Sequence, residues 1–320
     1  MPDRGNLSKF YLYGHCIESD FLFTIRLEPA SGPVELSITA TAGRRSPLLP
    51  VMSDWELAYP QTIGLKSDGS GVYLYRKGET YRFRFIGTAD FFVRRDSIEY
   101  HSDPDCPPEV LELCLLGIVM AFWLELTGVV ALHASAVVID GGAVCFCRGN
   151  SPGKSTTAMQ FLTSGYSMLT DDILPLRIHN GAAIGYSGYP QARLWPEEAI
   201  HFFGSVQDFR IVHPGYRKLR IPAGNGECVK FTNDKMPIRV LYLLDDILPA
   251  GSSCPTIQPV SSGESVITLI RSAFIPEMIE VSGLQYSRLG VLSKLAEEIP
   301  VRRIFKPTGY EHLPELMDAV

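Results

Sequence analysis

In the first third of the chain, apolar residues alternate with polar ones or cluster as β-branched and aromatic side chains between Gly, Pro and Ser turns. This pattern is typical of short β-strands. A polar, proline-rich joint follows at 102–108, and such a composition marks a loop or linker. We therefore predict a β-rich N-terminal domain over residues 1–105 and a second domain over residues 106–320. The predicted strands are Phe10–Leu27, Val34–Ala40, Gly71–Arg76 and Thr80–Ile86.

A hairpin is predicted around Gly78, and its second arm has two chemically different faces. Successive side chains of a strand point to opposite faces, so aromatic residues share one face and arginines share the other. Two interpretations are open. The arm is a half-buried strand with a solvated arginine face, or it is a recognition edge to which an acceptor peptide adds a strand, its acidic groups meeting the arginines. The aromatic face is Tyr81, Phe83 and Phe85, and the arginine face is Arg82 and Arg84.

The long apolar run at 113–124 predicts a buried helix. The run is shorter than the ~20 residues that a membrane span needs, and Glu125 falls inside any longer window. We expect the helix to begin near 107–108, to end around Gly128 and to pack under the sheet of the second domain. The polar amino terminus lacks the apolar core of a secretory signal. No membrane partner is predicted.

Segment 132–176 carries the clearest functional signal, because a strand-like run, a glycine-containing turn and a helix-like run follow in that order. Backbone N–H groups in such a turn, together with the helix N-terminus, form a cradle for phosphates. Lys154 can then reach the outer phosphates, and the Ser155 hydroxyl can ligate Mg²⁺. Arg148 stands where the usual pattern has its first glycine. The sequence predicts a nucleoside triphosphate site formed by Gly149, Asn150, Ser151, Pro152, Gly153, Lys154, Ser155 and Thr156.

Further candidate residues flank this phosphate loop. Upstream, a hairpin signal at 140–142 brings His133 back toward the loop. Downstream, a strand-like run delivers Asp171 and Asp172 one helix after the loop. Adjacent strand residues point in different directions, so one carboxylate can face an acceptor hydroxyl while the other faces a metal. The alternatives are a solvated turn for the two aspartates and a packing role for His133.

The order of histidine, hairpin, phosphate loop, short helix and paired aspartates resembles the C-terminal catalytic domain of HPr serine kinase/phosphorylase. That family shares its nucleotide site with phosphoenolpyruvate carboxykinase. Segments 188–195 and 236–244 resemble a second and a third signature of the stand-alone HPr-kinase-like proteins, some of which phosphorylate lasso-peptide precursors. The resemblance implies an α/β fold: a P-loop catalytic domain of the HPr kinase type, preceded here by the β-rich N-terminal domain.

The resemblance also implies a role for each candidate residue. Asp171 would be the catalytic base that accepts the hydroxyl proton, His133 would tune its charge or orientation, and Lys154 would complete the catalytic set. ATP would be the phosphoryl donor. Mg²⁺ would be held by Ser155 and Asp172.

One position departs from the HPr kinases, which carry a metal-binding glutamate two residues before an arginine. The corresponding pair here is Gln191 and Arg193, and an amide is a weaker Mg²⁺ ligand than a carboxylate. Either one metal suffices, or Glu197 or Glu198 takes the place, or the correspondence is shifted. Arg193 either binds a phosphate or an acidic group of the acceptor, or it is an arginine paired within the fold. The departure argues against the reverse, phosphorolytic reaction.

Charge and cysteine content restrict the class of partner and the compartment. The formal net charge is −6, with both signs dispersed along the chain. A nucleic-acid binder more often has a basic patch, so no nucleic-acid partner is predicted. The seven cysteines form no C-x-x-C pair. Together with the missing secretory signal, this predicts reduced, mostly buried thiols in a cytoplasmic protein.

The sequence therefore predicts an ATP-dependent kinase acting on a serine or threonine hydroxyl of a peptide or small protein. The specific acceptor implied by the resemblance is the C-terminal serine of a lasso-peptide precursor. A catalytically inactive nucleotide-binding regulator, suggested by Arg148 and Gln191, and a kinase of a small hydroxylated metabolite are the alternatives. The HPr kinases assemble into hexamers, so a homo-oligomer is a further alternative from the resemblance.

The remainder of the chain gives weaker patterns. Segment 201–225 is either a mobile loop over the substrate or ordinary surface. Helices are predicted over Ser265–Arg271 and Leu289–Ile299, and a final edge strand over 302–305.

Overall fold

The computed structural model describes residues 7–41, 55–63, 71–147, 153–213, 215–245 and 254–320. The chain divides into two compact units, each formed from two segments. The first unit is Met1–Gly128 with Ile275–Tyr286, and the second is Val129–Phe274 with Ser287–Val320. The first unit thus continues beyond residue 105, where the proline-rich joint was expected to end it.

The first unit contains a mixed sheet, in which nine strands of the described chain pair in the order β3-β1-β2-β4-β9-β8-β7-β6-β5. The pairs β2–β4 and β4–β9 are parallel, and the other pairs are antiparallel. The β-rich N-terminal domain is therefore confirmed as an architecture. The strands are β1 (Ser8–Leu12), β2 (His15–Ser19), β3 (Glu28–Pro29), β4 (Leu36–Ala40), β5 (Glu56–Ile63), β6 (Val72–Lys77), β7 (Thr80–Phe85), β8 (Ala89–Val93) and β9 (Ser97–Ser102).

The long apolar run forms the buried helix that the sequence predicts, in three consecutive parts. These are α1 (Pro108–Cys114), a π-helical turn (Leu115–Val119) and α2 (Met120–Leu126). The Phe122 ring packs edge-on against Tyr81 and Phe83 of β7, with ring centroids 4.8 and 4.9 Å away. The helix therefore belongs to the first unit, and its predicted place under the second sheet is wrong. Among the described residues, no helix is long and apolar enough to cross a membrane.

The arginine face of β7 is neither a free edge nor a solvated surface. β7 lies between β6 and β8 in the sheet. Asp90 of β8 accepts hydrogen bonds from Arg82 Nε at 2.9 Å and Arg84 Nη1 at 3.0 Å. Asp90 and Arg82 are both buried, each 3% exposed. The recognition-edge interpretation is therefore wrong, because both the backbone and the arginines of this strand are already paired.

The second unit is built around a second nine-stranded sheet of the described chain, with helices on both faces. Its strands pair in the order β18-β12-β10-β13-β14-β19-β21-β20, and β11 pairs with both β10 and β19. One face packs against α3 and α8, and the other against α5 and α7. The predicted α/β class is confirmed. The strands are β10 (Val130–Ile139), β11 (Gly142–Cys147), β12 (Ser167–Thr170), β13 (Ile173–His179), β14 (Ala182–Gly185), β18 (Lys230–Phe231), β19 (Met236–Asp245), β20 (Thr256–Pro259) and β21 (Val301–Phe305). The helices are α3 (Lys154–Thr163), α4 (Pro196–Phe203), α5 (Ser262–Arg271), α6 (Pro276–Val281, in the first unit), α7 (Gln285–Glu298) and α8 (Leu313–Ala319).

The predicted hairpin of β10 and β11 is present. Asp140 (φ 47°) and Gly141 (φ 74°) occupy its turn, and positive φ at both central residues is the geometry of a tight type I′ turn. The hairpin pairs Ala134 with Cys147. His133 therefore lies beside the point where β11 ends and the phosphate loop begins.

A small third sheet contains β15 (Gln191–Leu194), β16 (Ile211–His213) and β17 (Tyr216–Pro222), with β17 in the centre. Strands thus occupy much of the segment for which a mobile substrate loop was one expectation. The expected final edge strand, β21, instead lies between β19 and β20. The two helices predicted near the C-terminus are present as α5 and α7.

Candidate active site

The phosphate loop leads into α3 through a glycine that no other residue type could easily replace. Gly153 has φ 126° at the start of the helix, a conformation that side-chain-bearing residues rarely adopt. Lys154 is the first helical residue and is 8% exposed. Ser155 and Thr156 follow half-buried in the first turn, where backbone N–H groups lack partners within the helix. The predicted loop residues Gly149, Asn150, Ser151 and Pro152 lie outside the described residues.

Asp171 lies at the junction of β12 and β13 and is held by donors at both carboxylate oxygens. The Ser135 hydroxyl, on β10, lies 2.9 Å from Asp171 Oδ1. The backbone N–H of Arg193, on β15, donates to Asp171 Oδ2 at 2.9 Å. Asp171 is 8% exposed, and burial raises the pKa of its carboxyl while these hydrogen bonds and Lys218 oppose that rise. The result is a fixed, poorly solvated carboxylate.

Asp172 faces a different set of partners. Its Oδ2 accepts a hydrogen bond from Arg193 Nη1 at 2.9 Å, and its Oδ1 lies 3.5 Å from His133 Nδ1. The Arg193 guanidinium also donates to the Tyr189 hydroxyl and lies over the Tyr189 ring. The two aspartates therefore differ as predicted in direction, and Arg193 contacts both of them.

His133 is half-buried beside Phe274, with ring centroids 5.2 Å apart. Burial lowers the pKa of His133, Asp172 opposes this, and Lys154, Lys218 and Arg193 lower it further. The imidazole is therefore mainly neutral at neutral pH. A neutral imidazole can accept as well as donate a proton.

Lys154 interacts electrostatically with both aspartates. Burial lowers its pKa, whereas Cys147, Asp172 and Asp171 raise it. The structure thus brings together the loop lysine, both aspartates, His133 and Arg193, which are far apart in sequence. Their chemical roles remain predictions.

The second signature begins with a glycine because the chain there passes very close to β12. A Cβ atom on Gly188 would lie 2.4 Å from Thr170 Oγ1. The Gly188 N–H donates to the carbonyl of Leu169 at 2.9 Å. This close approach brings β15, and with it Arg193, beside the strand end that carries Asp171.

The carboxylates considered as replacements for Gln191 differ in position. Glu198 is buried and accepts hydrogen bonds from the Trp195 N–H at 2.7 Å and from the Thr156 hydroxyl. Glu197 is exposed, and Gln191 is buried on β15. Glu198 therefore ties the first turn of α3 to the start of α4. Within the described ranges, no three His, Cys, Asp or Glu side chains group as a metal cage.

Two contacts of this site escaped the sequence patterns. Ser135 lies two residues after His133 on one strand and so on the same face, a spacing that could have marked it. Lys218 belongs to the segment 201–225, where it lies on β17, and its ammonium is 5.6 Å from the centre of the Trp195 ring.

Comparison with known proteins shows a likeness to solved structures. No protein-family model matches the chain, and no curated protein matches it. Among solved structures, the chain is similar to the Hpr(Ser) kinase/phosphatase from Coxiella burnetii, with a TM-score of 0.32 and 15% sequence identity. The likeness covers 59% of this chain and 91% of that one.

Proposed function

We propose that this chain is an ATP-dependent kinase of the HPr-kinase-like type that transfers the γ-phosphoryl group to a serine or threonine hydroxyl. One observation carries the proposal. Asp171 is a buried carboxylate fixed by Ser135 and the Arg193 backbone. It interacts electrostatically with Lys154, the first residue of α3. Phosphoryl transfer requires this combination of a positioned base and cations at the phosphates.

Lys154 and the N–H groups of the first turn of α3 would hold the outer phosphates. The residues available for magnesium suit a hard cation, because the Ser155 hydroxyl and the Asp172 carboxylate are both oxygen donors. Bound there, Mg²⁺ would neutralise charge on the phosphates. Asp172 would offer Oδ1, since its Oδ2 accepts the Arg193 hydrogen bond.

Asp171 would accept the proton of the acceptor hydroxyl. Each carboxylate oxygen has two acceptor positions, so one position on each remains after the bonds from Ser135 and Arg193. Burial raises the pKa of Asp171, which makes it a better proton acceptor than a solvated aspartate. His133 would stay neutral beside Asp172 and help to orient it.

The acceptor would be a peptide or small protein. The C-terminal serine of a lasso-peptide precursor is the finer proposal, and it rests on the sequence signatures at 188–195 and 236–244. A nucleotide-binding regulator without transfer is the second candidate, favoured by Arg148 in the loop and by Gln191 where a glutamate is expected.

The test is phosphoryl transfer from ATP–Mg²⁺ to a mixture of serine-terminated peptides, read by mass spectrometry beside a calorimetric measurement of ATP binding. Asp171→Asn should bind ATP normally and lose roughly 10²-fold or more in turnover, the usual contribution of a positioned base. Asp318→Asn is the matched control, because Asp318 is exposed on α8.

Each outcome separates the candidates. A peptide that gains one phosphate with the wild type and the control, but not with Asp171→Asn, supports the kinase and its base. Full turnover of Asp171→Asn contradicts the base assignment. ATP binding without transfer to any peptide favours the regulator or a kinase of a small hydroxylated metabolite, and failure to bind ATP contradicts all three candidates.

A further inference from the structure

The small third sheet places several cations on one face. Arg193 on β15 is paired with Arg220 on β17, and Leu194 with Leu219. Leu194 and Leu219 are buried in the core. Arg193 is next to Leu194 on β15 and Arg220 is next to Leu219 on β17, so both arginines point to the opposite face of the sheet. Lys218 is two residues from Arg220 and shares this face. We call Arg193, Lys218 and Arg220 the cationic face.

Lys218 is held in a defined place on this face. Continuing the register by one residue sets Lys218 opposite Trp195, which agrees with the 5.6 Å between its ammonium and the Trp195 ring centre. The Tyr216 ring packs edge-on against the same indole, with centroids 5.6 Å apart. The Trp195 ring thus restricts the position of the Lys218 side chain and of its ammonium group.

The cationic face brings like charges close together on neighbouring strands. Like charges opposite each other on neighbouring strands destabilise a sheet. Lys218 has no carboxylate within ion-pair distance among the described residues, and Arg193 already pairs with Asp172. The cationic face adjoins both aspartates, because Arg193 donates its backbone N–H to Asp171 Oδ2 and its guanidinium Nη1 to Asp172 Oδ2, each at 2.9 Å. An anion bound at this face would reduce the repulsion among its cations.

We propose that Lys218 is a catalytic residue that binds the phosphoryl group during its transfer. The inference rests on the proposed kinase function and adds a residue to it. In the step, the acceptor oxygen forms a bond to the γ-phosphorus as its proton passes to Asp171. The bond to the β,γ-bridging oxygen breaks, and ADP leaves with that electron pair. Charge then lies on the equatorial phosphoryl oxygens, which Lys218 would contact.

The experiment uses the full chain, Mg²⁺ and ADP, with and without aluminium fluoride as an analogue of the phosphoryl group in transfer. Calorimetry gives the gain in ADP affinity that the fluoride produces, and no acceptor is needed. Lys218→Met keeps the aliphatic stem over Trp195 and removes the charge. We expect it to bind ADP alone normally and to lose about 10- to 100-fold of the fluoride gain, the range for a hydrogen bond to a charged group.

Two further variants keep the result interpretable. Lys218→Arg should restore part of the gain, because it keeps the cation. Arg217→Met, at an exposed neighbouring position of β17, should leave the gain unchanged. The proposal is overturned if Lys218→Met keeps the full gain, if Arg217→Met loses as much, or if the wild type binds ADP but gains nothing from fluoride. A wild type that binds no ADP overturns the proposed function itself, and this inference with it.

Discussion

Ser135 is the residue whose contribution to the site is most sharply defined by geometry. It is fully buried, and its hydroxyl lies 2.9 Å from Asp171 Oδ1. The opposite oxygen is fixed by a backbone N–H of Arg193, which no side-chain substitution removes. Of the two hydrogen bonds that hold the proposed base, only the one from Ser135 can therefore be removed by substituting a side chain.

Ser135→Ala should lower kcat by about tenfold or more while leaving the KM for ATP nearly unchanged. A hydrogen bond to a charged group contributes roughly 1.5–3 kcal/mol, and this one acts on the base rather than on the nucleotide. Steady-state kinetics on the acceptor peptide measure the split between kcat and KM.

Ser187→Ala is the control for the loss of a buried hydroxyl. The Ser187 hydroxyl donates to Asn233 Oδ1 at 3.1 Å rather than to a carboxylate of the site, so its removal should spare kcat. Ser135→Thr, which retains the hydroxyl, should recover part of the rate. Unchanged kcat in Ser135→Ala would contradict a positioning role.

The limits of sequence reasoning are also clear at this scale. Lys154, Asp171 and Asp172 could be singled out because their signal is local, a lysine after a glycine turn and two acids after a strand. Ser135 had only its two-residue spacing from His133 as a signal, and Lys218 had none, because the contacts of both residues join strands far apart in sequence. Only the fold brings Ser135 on β10 and the Arg193 N–H on β15 to the same carboxylate.

Elements with a local pattern were predicted well, and their places in the sheet were not. The β10–β11 hairpin and α3 follow from turn residues and from the runs beside them. The place of β7 inside the sheet depends on the registration of β6 and β8 on either side of it. No periodicity within β7 encodes that order, so an arginine face that seems solvated in sequence is in fact paired.

Asp90 tests this account of β7. Asp90→Ala should reduce the stability of the first unit by about 3–5 kcal/mol, because removing one partner of a buried ion pair leaves charge poorly compensated. Asp90→Asn keeps an acceptor oxygen and should cost less. Urea unfolding, followed by Trp fluorescence, measures the difference.

Asp96→Ala provides the comparison, since Asp96 is exposed and contacts only the Ser97 hydroxyl among the described hydrogen bonds of its side chain. It should change stability by less than about 0.5 kcal/mol. If Asp90→Ala were as mild as Asp96→Ala, the arginines of β7 would have to be solvated after all.

At the scale of the whole molecule, the division into units was the least accessible to sequence. A proline-rich joint at 102–108 suggested where the first domain ends. The helix that follows is almost entirely apolar at 113–124, so its sequence does not show which of the two sheets it covers. In the structure, the Phe122 ring of this helix packs on Tyr81 and Phe83 of β7, so the helix belongs to the first unit. Helix α6 belongs to the same unit although it comes much later in the chain.

The cysteines report on the integrity of the second unit. Three of the seven thiols are buried, so the expectation of mostly buried thiols holds only in part. Cys145 and Cys147, two residues apart on β11, lie together in the core beside α5 and α7. Burial raises the pKa of Cys145 well above its usual range and that of Cys147 to about 12. Both thiols therefore stay protonated and inert at mildly alkaline pH, because the thiolate is the nucleophile.

Iodoacetamide at mildly alkaline pH should label Cys254 and Cys228 in the folded protein, and Cys145 and Cys147 only when the second unit opens. Cys228 should be the slower of the exposed pair, because partial burial and Glu227 raise its pKa. Peptide mass spectrometry over time gives each rate. ATP with Mg²⁺ should slow the labelling of Cys145 and Cys147, since a ligand that binds only the folded unit makes opening rarer, and it should leave Cys254 as an unaffected internal control. Fast labelling of Cys145 or Cys147 would contradict the core described here, whereas labelling indifferent to ATP would count against nucleotide binding by the loop that follows Cys147.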